Sequence, residues 1–310
     1  MIDLRRRSLL KAGAFGAGAL AAPASAIGIA RGFTSGVASG EPSATSVLLW
    51  TRYVPARGDA VPLSFEVAED PGFGRIVARG DTVASADNDH CAKPRVDGLT
   101  PDRWYYYRFA APDGARSMTG RTRTFPEGPT KQFRIAAFSC SNKPFGWFNA
   151  YAHAAARTDI DLVVHLGDYF YEYPRGDYPS EADTVAGRPI GLAGETWRLQ
   201  HYRERFASYR DDPDLQRLHQ LYPSIQLWDD HETANDAWKD GAQNHQPETE
   251  GPWEVRKAAA RKAFREWLPA SDEDYTSYEI GDLITLIRTD TRLAGRDQQI
   301  DLGTELAGVA

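Results

Sequence analysis

The run DLVVHLGDYFYEY, residues 161–173, decides the fold. Its apolar start, Leu162-Val163-Val164, reads as a buried strand that turns at Gly167. A carboxylate, Asp168, follows at once, and a phenol, Tyr171, stands three residues later among further aromatics. A charged turn with packing rings would account for each residue singly. Coordination of one hard metal ion by Asp168 and Tyr171 accounts for them together.

Working outward, strands and helices alternate. FRIAAFSC (133–140) reads as a strand, WFNAYAHAAA (147–156) as a helix, and SIQLWDDHE (224–232) as a strand with acids at its end. Leu199, Tyr202, Phe206 and Tyr209 step by three and four along one helix face, and Trp253 to Leu268 places Ala260, Phe264, Trp267 and Leu268 on one side. DLITLIRTD (282–290) alternates as a strand ending in Asp290. This order predicts an α/β layer fold over residues 131–310. Residues 33–125 instead read as all-β, with alternation in SVLLWTRY (46–53), PLSFEVA (62–68) and RWYYYRF (103–109), preceded by the lead-in GFTSGVASGEP (32–42). Gly98-Leu99-Thr100-Pro101 before Tyr105-Tyr106-Tyr107 resembles a corner of a fibronectin-III sandwich, so a small β-sandwich is expected there. The composition breaks at Phe125-Pro126-Glu127-Gly128-Pro129, which marks the boundary.

The 310 residues are 42% hydrophobic and 25% charged, an ordinary globular composition long enough for two domains. The formal charge is −7, with no basic run that argues for nucleic acid. No apolar run is long enough to argue for a membrane span. Residues 1–26 carry a basic start with Arg6-Arg7, a short Gly/Ala-rich apolar run and Ala24-Ser25-Ala26, the pattern of a cleavable twin-arginine leader. It predicts a periplasmic or secreted protein that meets the twin-arginine export machinery. Exported proteins favour disulfides, but Cys91 reads as part of a polar loop and Cys140 as a strand end in the other domain, which argues against pairing them.

Three strand ends carry metal-ligand chemistry: Cys140, Asp168 with Tyr171, and Asp229-Asp230-His231. Ligands of open α/β sheets collect at the carboxyl ends of strands, so these distant residues can converge. A carboxylate, a phenolate and a thiolate suit Fe(III), and further carboxylates suit a second, harder ion such as Ca²⁺. Two such ions clamp a phosphoryl group and deprotonate a water. Adjacent acids at a strand end are costly unless something positive compensates them. Nucleophile chemistry finds no support: there is no Gly-x-Ser-x-Gly elbow, no Walker loop, and no CxxC or HExxH.

FSCSN (138–142), HLGDYFYEY (165–173) and WDDHE (228–232) resemble the alkaline phosphatase D (PhoD) family of binuclear metallophosphatases. GFTSGVASGEPSATSVLLWTR resembles that family's N-terminal sandwich, and AWKDGAQNHQPETEG (237–251) is similar to a further family segment. The resemblance implies hydrolysis of phosphate mono- and diesters by metal-bound hydroxide. It implies that Cys140 and Tyr171 bind iron, Asp168 bridges two metal sites, Asp230 serves the calcium-like site, and His231 stabilises phosphate or protonates the leaving group. Asn142, Asp229 and Asn235 are expected near substrate or the second metal. The chain departs from the family pattern in lacking the late Gly-Asp-x-His segment and in showing TDTR (289–292) for Leu-Asp-Thr-Arg. The metallophosphatase-type core is therefore expected to be incomplete at its C-terminus. The competing expectation is a catalytically incomplete exported remnant that binds a partner through its β-sandwich. A third, weaker one is a phospholipase-like diesterase on the same metal site.

Overall fold

The computed structural model describes residues 31–300. The leader expected over 1–26 and the last ten residues of the expected core lie outside the described residues. Strands β1 (Gly32–Gly40), β2 (Val47–Val54), β3 (Ala60–Ala68), β4 (Ile76–Ser85), β5 (Cys91–Ala92), β6 (Arg95–Val96), β7 (Trp104–Ala110) and β8 (Gly120–Arg123) come first. Then follow β9 (Ile135–Phe138), helix α1 (Asn149–Ala156), β10 (Leu162–His165), α2 (Leu199–Arg210), α3 (Pro213–Leu221) and β11 (Pro223–Gln226). The short α4 (Pro247–Glu250), α5 (Trp253–Trp267) and the hairpin β12 (Thr276–Ile280) to β13 (Ile284–Arg288) complete the described chain.

One sheet runs in the order β5-β2-β1-β11-β10-β9, with β6 also paired to β2, and a second runs β4-β3-β7-β8. Strands β9, β10 and β11 are mutually parallel, with Val164 opposite Ala137 on one side and Ile225 on the other. Both faces of β10 are covered, as parallel strands require. Val163 points into a core with α2, α3 and α5, while Leu162 and Val164 join Ile225, Tyr278 and Ile280 on the hairpin side. The first core is rich in rings. Tyr202, Phe206 and Tyr209 are fully buried, and Trp267 stacks on Phe206 with centroids 6.3 Å apart. Each such ring contributes about 1.5–3 kcal/mol by leaving water. Helix α3 starts where the sequence has a cap: Asp212 accepts from the N–H groups of Asp214 and Leu215, and Pro213 takes the first helical position.

Two local readings are corrected. GFTSGVASGEP is not a lead-in, because residues 32–40 are strand β1 at the seam of the large sheet, antiparallel to β2 and parallel to β11. Its small residues hide the alternation but permit the seam. A Cβ on Gly40 would lie 2.3 Å from the Pro269 carbonyl oxygen and 2.7 Å from that of Ser224. Cys91 is not in a polar loop; it is the buried start of β5, and both cysteines are free thiols. Val37 and Leu49 of the large sheet close a sandwich core with Phe65, Tyr107 and Phe109 of the second sheet. Tyr105 pins its corner, its hydroxyl accepting from the Thr100 N–H at 2.9 Å and lying 3.3 Å from the Thr100 carbonyl. Among the described residues no helix is long and apolar enough to cross a membrane.

A buried histidine yields a pH test of this core. His219 is buried against Tyr169, with Nε2 3.0 Å from the hydroxyl. Burial first, then the charges of Arg210 and His165, holds its imidazole well below the usual range. Below about pH 6.5 the unfolded chain binds a proton that the folded chain refuses. The contribution of the neutral ring is whole above that pH and is lost as pH falls toward the depressed folded value. The cost of His219→Gln in urea unfolding should therefore shrink by about 2 kcal/mol between pH 7.5 and 5.0. A cost that does not change with pH contradicts a neutral, dehydrated ring.

Candidate metal centre

The turns after β9 and β10 are stitched together. Cys140 N–H donates to the Gly167 carbonyl at 3.1 Å, and Ser141 N–H to that of Asp168 at 2.7 Å. Cys140 and Asp168 themselves sit at φ +59° and +53°. Left-handed conformation in residues other than glycine is uncommon and costs about 1–2 kcal/mol each. Such strain survives where the surroundings impose it, and it clusters at working sites.

The side chains converge. Cys140 Sγ lies 3.4 Å from Asp168 Oδ2, and the Tyr171 hydroxyl donates to the same oxygen at 3.3 Å. One ligand atom each from Asp168, Asp230 and His231 lies within 4.8 Å of the others. Cys140 is exposed, whereas Asp168, Tyr171, Asp230 and His231 are buried. Thiol, phenol, a second carboxylate and an imidazole thus gather about Asp168, with the thiol on the exposed side.

The electrostatics are those of acids buried close together. Burial pushes the Asp168 carboxyl up; His231 opposes this, and the charges of Asp230 and Asp229 add to it. Asp168 Oδ1 is buried without a hydrogen-bond partner among the described residues. Burial, then the neighbouring Asp168 and Cys140, drives the Tyr171 phenol far above its ordinary value. A cation would reverse all three strains, so the donor set fits one.

His231 is held from behind. Burial disfavours its charge, yet the hydrogen bond and charge of Glu172, with Asp230 and Asp168, raise it to about 9. Its Nδ1–H donates to Glu172 Oε2 at 2.8 Å, so Nε2 is the ring nitrogen left for chemistry. The other Glu172 oxygen accepts from Asn235 N–H at 2.7 Å and Asn244 Nδ2 at 2.8 Å. Burial alone would raise the Glu172 carboxyl, but these partners, His231 foremost, bring it below its ordinary range. Arg205 fixes the same loop from below, its guanidinium donating to the carbonyls of Tyr171 and Tyr173.

The remaining expected residues fall into two groups. Asp230 joins Asp168 and His231, whereas Asp229 acts on Asp168 through its charge, and both acids are paired with Arg292 of β13's exit turn. Asp230 Oδ2 also caps the Asp236 N–H at 2.5 Å. SIQLWDDHE leaves the ladder at Gln226, so these acids stand on a turn beyond the strand, with Thr233 and Ala234 N–H groups closing on the Asp230 carbonyl. Asn142 lies beside Cys140, its Nδ2 3.3 Å from the Tyr178 carbonyl and its Oδ1 buried and unpartnered. Asn235 turns its amide to Gln243 at 2.9 Å and serves the centre through its backbone N–H.

Glu172, Arg205, Glu232 and Arg292 were not anticipated. Glu232 accepts from the N–H groups of Tyr169 and Asp229 and so ties the two acid-bearing turns together. Burial, then the Asp168 charge, lifts its carboxyl to about 8. The one available signal was TDTR, whose arginine is the compensating charge that adjacent acids require.

The model of the family described as PhoD-like phosphatase matches residues 135–308, and that of its N-terminal domain matches residues 19–126. Alkaline phosphatase D of Bacillus subtilis (strain 168) is 36% identical over 287 residues, which cover 86% of this chain and 48% of that protein. The solved structure of PhoD superposes with a TM-score of 0.80 at 34% identity, covering 88% of this chain and 54% of that one. The chain thus spans about half the length of these relatives. Because the PhoD-like phosphatase model alone covers more than half of the chain and includes every strand end that carries the centre, the chain belongs to the PhoD-like phosphatase family.

Proposed function

We propose that this chain carries the centre of a metal-dependent phosphoesterase acting on phosphate mono- and diesters. The carrying observation is the convergence of Cys140 and Tyr171 on Asp168 Oδ2, with Asp230 and His231 alongside, while Asp168 Oδ1 is buried with no donor among the described residues. Cys140, Asp168 and Tyr171 would hold Fe(III), and Asp168 and Asp230 a harder ion such as Ca²⁺. Bound there, such ions supply Lewis acidity toward a phosphoryl oxygen and make a neighbouring water acidic.

The chain's own groups do the rest. Glu172 fixes the tautomer and direction of His231, leaving Nε2 to hold a proton for the departing ester oxygen. Arg292 offsets the adjacent acids Asp229 and Asp230. The exposed side at Cys140 admits substrate, and Asn142 stands at that entrance.

The leader over residues 1–26 supports export by the twin-arginine machinery to the periplasm or beyond. The Tyr105 corner supports a fibronectin-III-like sandwich over 33–125, ahead of the metallophosphatase core over 131–310. The activity is tested on protein loaded with iron and calcium, using 4-nitrophenyl phosphate and its bis-ester. Turnover of both, lost on chelation, is expected. Protein that holds both metals yet turns over neither ester refutes the reading.

A further inference from the structure

We propose that the cavity beside Cys140 is an aromatic leaving-group subsite, which serves phosphoesters whose ester oxygen carries a flat, uncharged ring. This rests on the phosphoesterase reading above and names its substrate class. The cavity encloses about 520 Å³, within the size range of small-molecule sites. Cys140 and Tyr171 line it together with Phe145, Trp147 and Tyr178, so a group seated there adjoins the metal centre.

These three rings are 49%, 55% and 47% exposed, an apolar cluster at the mouth of the site. Phe145 meets Tyr178 edge-on at 5.0 Å, and Tyr178 lies 5.5 Å from Tyr171. Rings so spaced offer faces and edges to a further ring. Among the described residues no Lys, Arg, Asp or Glu lines the cavity. A second phosphate or a charged sugar would therefore lose its hydration there without a partner.

The loop that carries Phe145 and Trp147 is also tied down before any ligand arrives. Arg188, fully buried and paired with Asp212, donates to the carbonyls of Gly146 at 2.9 Å and Lys143 at 3.3 Å. Its guanidinium lies 4.8 Å from the centre of the Trp147 ring. Val185 N–H closes on the Pro144 carbonyl at 2.9 Å. A buried cation thus fixes a loop whose side chains point to solvent, an arrangement that pre-organises a binding wall.

The test uses metal-loaded protein and two non-hydrolysable probes, phenylphosphonate and methylphosphonate, titrated by calorimetry. Phenylphosphonate should bind about tenfold tighter, the scale of one ring contact. Trp147→Ala should remove most of that preference and leave methylphosphonate unchanged, while Trp147→Phe should keep most of it. Equal affinity for the two probes, or a preference untouched by both Trp147→Ala and Phe145→Ala, overturns the subsite. Tighter binding of octylphosphonate than of phenylphosphonate overturns it in favour of an alkyl or lipid group. If metal is bound but neither probe binds, the phosphoester reading itself falls, and the subsite with it.

Discussion

Asp168→Asn should strip the centre of its metal and, in the same protein, make the metal-free fold more stable. The carboxylate is buried beside Asp229 and Asp230, and its Oδ1 has no donor. Its charge is therefore a liability until a cation arrives. Asn keeps the shape, tolerates the left-handed φ of +53°, and still accepts from Cys140 Sγ and the Tyr171 hydroxyl. Removing a group that merely orients a ligand costs about 10–100-fold in metal affinity or activity, so loss of a shared ligand should cost at least about 10³-fold. With chelator present, urea unfolding should show a gain on the order of 1 kcal/mol, the scale on which relief of active-site strain moves stability. Asp168→Ala separates the two effects, since Ala removes the charge but is strained at positive φ. Full iron content in Asp168→Asn refutes the placement of Asp168 in the centre.

That Asp168 was legible at all reflects where its signal lies. A buried strand, a glycine turn and an acid are consecutive, so local pattern suffices. The same holds for the Tyr202, Phe206 and Tyr209 stripe, where helix periodicity and burial coincide. The seam was not legible. β1 and β11 are about 180 residues apart, and six of the nine residues of β1 are Gly, Ser or Ala, whose small size makes the close approach but blurs the alternation. Glu172 was hidden for the opposite reason. An acid between two tyrosines reads as a solvated gap in an aromatic run, yet it is fully buried. Only the tertiary arrival of His231, Asn235 and Asn244 makes a buried carboxylate tolerable there. Arg292 likewise gains its meaning from a turn that the sequence places 62 residues after Asp230.

Gly167→Ala should break the centre through the backbone, without touching any ligand. Gly167 sits at φ +113°, between the two acid-bearing turns. A Cβ there would lie 2.3 Å from the Asp229 nitrogen, 2.6 Å from its Cβ and 2.8 Å from the Trp228 carbonyl carbon. These are mostly backbone atoms and have no rotamer by which to yield. The Gly167 carbonyl also receives the Cys140 N–H, so a shift of Gly167 drags the thiol-bearing turn with it. Gly58 supplies the control, with φ +84° and nothing within 4 Å of an added Cβ. Ala at Gly58 pays only the conformational cost, about 1–2 kcal/mol. Ala at Gly167 adds overpacking, about 1–3 kcal/mol more. Urea midpoints should rank the two variants in that order, and iron stoichiometry should fall only in Gly167→Ala. Equal stability losses with iron retained in both would mean that the turns do not meet at Gly167, and the convergence of thiol and carboxylates would lose its structural cause.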